Sequence, residues 1–387
     1  MVRLAWATGV LGTRLPVAMT PLTLVFLGSQ VYDSYTYGLV LVGLYAAAEA
    51  CFAPILGMRL TGSYFRSEVI IGLLTSGAAY GILAFLGTEG AVFAWVLVIL
   101  AGAGAAAVPG ALRVAITNIV SHDRVPQAFS VETVLTMISW AAAPALVAFV
   151  SFRFSPLVII TGCCLLMTLS LVLVRILPEP DAVGQQGPQE RMSRRSKIRG
   201  LLKAWPIFLS AAIAMSIVSF LELLLPALLD ERGNDPSHSG PLISVIAVAS
   251  IAAAGLYSIL KVPGSYTAQS WVGITVMLCA VGFLAYVEAP VYLITLLCIL
   301  GLGQAVCIVA RNLSLRENLP AELHVTGFAV LYSLSGVGYG LSAGISALAL
   351  SMVSAQATIL IGLTCILMAC SAIGIAQIIY GGRQSNP

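Results

Sequence analysis

Six ionisable side chains stand inside long apolar runs of this 387-residue sequence: Arg14, Glu49, Arg113, Glu132, Glu222 and Arg311. A charge in an apolar medium loses its hydration, so such residues persist where they pair, carry protons or meet a polar ligand. A buried carboxylate far from a fixed cation can load and release a proton. Glu49, about halfway along its apolar run, is the first candidate for proton coupling or recognition of a cation. A structural pair with Arg14 is its competing reading. Glu222 lies within about two helical turns of a polar break and can also reach water. Arg14, in RLPVAMTP, can meet an anionic group or extend towards water.

Arg113 and Glu132 are equidistant from the polar turn at His122 and Asp123. An antiparallel hairpin would place them at similar depth, where opposite charges offset each other's desolvation. That suits a structural or gating ion pair, with substrate contact as the other reading. Arg311 has Tyr332 at the mirrored place, so the second half of the chain lacks the carboxylate. Tyr45, Trp140, Tyr332 and Tyr339 fall near the middle of apolar runs, where they can line a cavity or simply pack.

The elements that position these residues are long apolar helices. The sequence is 59% hydrophobic and 9% charged, with a mean hydropathy of +0.99. Soluble domains carry about 25% charged residues, so a water-soluble fold is excluded. Runs near 20 residues recur, each able to cross a hydrocarbon core roughly 30 Å thick. Alternating polarity over segments of about 10 residues, the mark of a membrane β-barrel, is absent. The expected class is an all-α polytopic membrane protein of about twelve spans. They are placed at 4–27, 37–60, 67–86, 91–118, 127–150, 155–177, 203–229, 241–261, 269–286, 291–313, 325–351 and 356–380. The first run is too long and too interrupted, by Arg14, Pro16 and Pro21, for a cleavable leader.

A long polar break at 178–203 separates an N-terminal six-helix bundle, 1–177, from a C-terminal one, 204–387. Lys and Arg collect in one set of breaks, with Arg59, Arg66, Arg124, Arg316 and the linker's Arg191, Arg194, Arg195, Lys197, Arg199 and Lys203. The opposite breaks hold Arg153 and Arg232 among several acids. The positive-inside rule then places both termini and the linker in the cytoplasm. The linker's basic cluster reads as a cytoplasmic anchor for the seventh span, not a nucleic-acid site.

The halves resemble each other. GAGAAAVPGALRVAITNIVSHDRVPQAFSV (102–131) aligns with GLGQAVCIVARNLSLRENLPAELHVTGFAV (301–330) at an offset of about 199 residues. Parallel six-helix repeats of this kind are a known membrane architecture. The eight cysteines lie in apolar runs without CxxC or Cys/His spacing, so no metal site is expected. GVGYGLSAG (336–344) has no strand before it, which rules out a nucleotide-binding turn. Its Gly336, Gly340 and Gly344 form a small-residue face for helix packing. No Walker motif is present. No cofactor and no enzymatic activity are expected.

The stretch GMRLTGSYFR (57–66) joins the second and third spans. Together with the six-plus-six organisation and the basic central loop, it resembles the major facilitator superfamily. That family's loop motif reads G-x-x-x-D-x-x-G-R-[RK]. Gly57 and Arg66 match it, while Thr61 stands at the aspartate, Tyr64 at the second glycine and Phe65 at the first arginine. RLPVAMTPLTLV, GLYAAAEACFAPILG and the proline of AAAPAL (141–146) look like bacterial drug or natural-product exporters. The family's arginine in the fourth span would fall on Val98 and is missing.

The resemblance implies a monomeric secondary transporter in the cell membrane that moves a small organic molecule by alternating access. Proton-coupled efflux of a drug-like or natural-product compound is the preferred reading. An importer of a small metabolite or organic anion is the alternative, and a non-cycling sensor or lipid-handling protein a third. Gly57, Thr61 and Arg66 would belong to the cytoplasmic gate, with a latch weakened by the loss of the acid. Arg113 and Glu132 would then carry more of the closure.

Overall fold

A computed structural model describes residues 2–59, 65–106, 108, 111–112, 115, 120, 125–176, 200–260, 262–287, 289–320 and 323–384. Among them are twelve long helices and no strand. They are α1 (Val2–Val31), α2 (Tyr35–Arg59), α3 (Phe65–Leu86), α4 (Ala91–Ala105), α5 (Val125–Arg153) and α6 (Pro156–Ile176). The remainder are α7 (Trp205–Glu231), α8 (Ser239–Ile259), α9 (Tyr266–Leu284), α10 (Pro290–Asn318), α11 (His324–Leu350) and α12 (Ala355–Gln384). Each expected span has its helix, although the continuous part of α4 ends at Ala105, short of the expected 118. The basic linker falls almost wholly outside the described residues.

Sequence chemistry explains where the helices turn. A four-residue 3-10 turn, Gly87–Gly90, connects α3 to α4, and Gly87 takes the left-handed backbone (φ 53°) that a side chain would strain. Ser265 caps α9, its hydroxyl accepting the Ala268 N–H, and Pro290 opens α10 where no N–H is needed. Arg232, one of the two cations of the acidic set of breaks, donates to the Ala285 and Val287 carbonyls at 2.6 and 2.7 Å, just past the end of α9. Helix C-termini favour cations, so a local contact outweighs the charge rule there. Glu231 in turn accepts the Ala355 N–H at 2.5 Å and caps α12.

The chain divides into two compact units. The first holds residues 1–190 and 235–247, the second 191–234 and 248–387. In the first, α1 packs on α2, α5 and α6, while α3 packs on α4 and α6. In the second, α7 packs on α9, α10, α11 and α12, and α9 pairs along α10. The leading helix of each half is the interior one: 89% of the apolar window of α1 is buried and 78% of that of α7, against 44% or less in the other spans.

The repeat is visible atom by atom. A Cβ added to Gly72 would stand 2.6 Å from the Gly104 carbonyl oxygen, and one on Gly104 2.5 Å from that of Gly72. In the second unit the same reciprocal approach joins Gly273 and Gly303, at 2.7 and 2.9 Å. Without Cβ atoms the backbones of α3 and α4, and of α9 and α10, close to distances that any side chain would prevent.

Candidate functional site

Prolines shape the helix that carries the first charged residue. Pro16 and Pro21 lie inside α1 and leave carbonyls one turn earlier without their in-helix donors. Between α1 and α5, Arg14 Nη2 donates to Glu132 Oε1 at 2.8 Å, with side chains 8% and 2% exposed. Arg14 therefore neither extends to water nor pairs with Glu49. Its carboxylate partner is Glu132, the residue the hairpin argument assigned to Arg113. Arg113 itself lies outside the described residues.

Glu49 is half-buried on α2, one turn beyond the fully enclosed Tyr45. Its carboxylate is close enough to interact electrostatically with Tyr45 and with Tyr80 of α3. The Tyr80 hydroxyl lies 2.7 Å from the Thr20 hydroxyl of α1. Polar atoms of α1, α2 and α3 thus form one buried cluster around Tyr80. Sequence reasoning found Tyr45 and Glu49 but missed Tyr80 and Thr20. Depth gave no signal for Tyr80, which lies nearer the end of its helix, Phe65–Leu86, than Tyr45 does in Tyr35–Arg59.

The second unit holds Glu222 at 5% exposure on α7, so it does not reach water from its place near the helix end. The Tyr339 side chain of α11 is its polar neighbour. Ser216 donates to the Gly338 carbonyl at 2.9 Å and Ser219 to that of Tyr339 at 3.3 Å. Gly338 is pressed against the Ala212 carbonyl, with no space for a Cβ. Ser216, Ser219 and Glu222 repeat every three residues and so share the face of α7 turned to α11. Among the described residues no cation pairs with Glu222. It is a carboxyl group in apolar surroundings with a tyrosine hydroxyl as company.

The other expected positions divide. Arg311 is 7% exposed on α10, and its Nε has no hydrogen-bond partner among the described residues. Trp140 is half-buried on α5. Tyr332, at 45%, is exposed, whereas Tyr339 is buried at 5%. Gly57 falls in the last turns of α2 and Arg66 is half-buried at the start of α3. Thr61 lies outside the described residues. No group of His, Cys, Asp and Glu among the described residues is placed to hold a metal ion.

Known proteins share this architecture. A family model described as Major Facilitator Superfamily matches residues 6–343. Among curated protein sequences none matches the chain. Solved structures do. The nucleoside transporter NupG superposes with a TM-score of 0.77 at 12% identity, over 97% of this chain and 98% of that one. The peptide transporter POT in complex with sulfate gives 0.73 at 13%, over 99% and 94%. A bacterial homolog of the human lysosomal transporter Spinster, in its inward-facing and occupied conformation, gives 0.73 at 12%, over 97% and 96%. At such identities the likeness is one of fold, and the family model covers most of the chain. Twelve apolar helices in a twofold repeat, buried charges on the interior helices and that match lead to one assignment: the chain belongs to the Major Facilitator Superfamily, as a multi-pass membrane transporter.

Proposed function

We propose that this transporter moves a small organic molecule across the cell membrane by alternating access, driven by proton movement through Glu222. The observation that carries the reading is the environment of Glu222: buried, without a cation among the described residues, and with the Tyr339 side chain as its polar neighbour. A carboxyl group held there is far cheaper neutral than charged, and its burial makes a proton the natural counter-species. Glu49, with Tyr45 and Tyr80 beside it, is the second carboxylate able to serve. Arg14 is occupied by Glu132, which weakens the reading of an importer that grips an organic anion through Arg14.

The direction we favour is efflux of a drug-like or natural-product compound, on the exporter-like stretches of α1, α2 and α5. Similar folds in transporters of nucleosides and of peptides accord with a small organic cargo. Both termini face the cytoplasm in this reading, by the distribution of Lys and Arg.

The test is accumulation of candidate compounds in cells expressing the protein, with and without a proton uncoupler. Coupled efflux predicts low accumulation that the uncoupler raises. Glu222→Gln should remove the uncoupler's effect while expression persists. An unchanged response in that variant, with loss in Glu49→Gln instead, would move the coupling to α2.

A further inference from the structure

The second unit carries a positive charge that the transport reading does not use. Arg311 lies on α10, about two turns before the helix ends at Asn318. It lines a small cleft with Pro206, Ile207 and Ser210 of α7 and Thr267, Ser270 and Trp271 of α9, and Ser314 follows one turn along α10. All of these belong to the second unit. Both α7, starting at Trp205, and α9, starting at Tyr266, present their first turns to the cleft. Helix N-termini carry partial positive charge, so the fold brings a guanidinium against two ends that repel it.

Nothing among the described residues offsets this charge. There Arg311 makes no ion pair, and its Nε is buried without a hydrogen-bond partner. The position 199 residues after Glu132 is Leu331, which lies in an apolar cluster with Ile207, Leu315 and Leu319. The carboxylate that neutralises Arg14 in the first unit thus has a hydrocarbon at its counterpart. Hydroxyls line the same cleft instead. Thr267 Oγ1 and Ser314 Oγ lie 2.9 Å apart, and Ser270 Oγ is 3.6 Å from Cys307 Sγ. Hydroxyl groups and first-turn amides donate to anions, and a guanidinium matches the oxygens of a phosphate. The space is on the scale of a single water molecule, room for one oxygen atom.

We infer that this cleft is a binding site for a phosphate-type oxyanion, held by Arg311 with Thr267, Ser270 and Ser314. Its location at the end of the unit that carries the basic linker suits two sources of that chemistry, free phosphate on the cytoplasmic side or the headgroup of an anionic lipid. The inference is independent of proton coupling at Glu222.

Purified full-length protein tests it by thermal unfolding in two arms. One titrates inorganic phosphate against chloride at matched ionic strength, in lipid-free detergent. The other compares nanodiscs of phosphatidylcholine with and without phosphatidylglycerol. The site predicts stabilisation in at least one arm, weakened about tenfold or more in apparent affinity by Arg311→Gln, as loss of charge-assisted hydrogen bonds implies. Thr267→Val and Ser314→Ala, which keep shape and charge, should weaken it by a smaller factor and guard against a misfolded arginine variant. Response to phosphate identifies a soluble anion, and response to phosphatidylglycerol alone identifies a lipid. Absence of stabilisation in both arms, or equal stabilisation of the wild type and the variants, would overturn the proposal.

Discussion

Arg14 and Glu132, 118 residues apart in sequence, meet at 2.8 Å between α1 and α5 and are enclosed by the first unit. Removing one partner of a buried pair strands the other charge, at a cost of about 3–5 kcal/mol. Glu132→Gln or Arg14→Met should therefore lower the unfolding temperature markedly in detergent. The exchange Arg14→Glu with Glu132→Arg should recover a large part of that loss. Rescue by Arg113→Glu with Glu132→Arg, and none from the first exchange, would place the working partner at Arg113.

Tyr339 supplies the polar neighbour of Glu222, and Tyr339→Phe removes its hydroxyl with little change of volume. We expect proton-coupled transport to shift in pH dependence in this variant while folding is retained, since the α7–α11 contact also rests on Ser216, Ser219 and Gly338. A transport profile that matches the wild type across pH would detach Tyr339 from coupling.

The reciprocal glycine contacts make a steric prediction. Gly104→Val and Gly303→Val each force a side chain into a backbone carbonyl, and overpacking of this kind costs about 1–3 kcal/mol. Thermal unfolding should show both variants destabilised by similar amounts, because the two contacts are the same element of the repeat. Gly374→Ala, where a Cβ meets nothing within 4 Å, is the neutral control.

Asp235 offers a pH test outside the spans. It caps the short 3-10 turn Pro236–His238, accepting the Ser237 N–H at 2.8 Å, and the Ser237 amide and hydroxyl hold its carboxyl below the usual range. A carboxyl depressed in the folded state stabilises above its unfolded pKa of about 4, and that contribution is lost as pH falls through the folded value. Asp235→Ala should thus be slightly less stable than wild type at neutral pH, by under about 1 kcal/mol for so exposed a group. The difference should vanish in acid. A deficit that persists there would assign the effect to something other than the charge.

Thr61 stands where the family's loop motif has an aspartate. Thr61→Asp should strengthen cytoplasmic closure and change the balance of inward- and outward-accessible states, read by cysteine accessibility from either side of the membrane. An unchanged balance would mean that the gate is held elsewhere.

Hydropathy, charge and repetition are one-dimensional properties, and their consequences are legible along the chain. Apolar runs of membrane length became twelve helices because backbone groups in a lipid interior must satisfy each other locally. The glycines of 102–131 and 301–330 announced a repeat, and Gly104 and Gly303 now occupy equivalent contacts. The positions of Arg14, Glu222 and Arg311 inside apolar runs marked them in advance as costly charges. Which charges meet is a different kind of fact. Arg14 finds Glu132 instead of Glu49, and Glu222 turns to Tyr339 while Tyr332 is exposed. Such encounters depend on the rotation of each helix about its axis and on which helices become neighbours, which packing decides across more than a hundred residues of chain. Helix packing alone therefore revealed that the charge on α1 is neutralised, while the charge on α10 is left facing a cleft of hydroxyls.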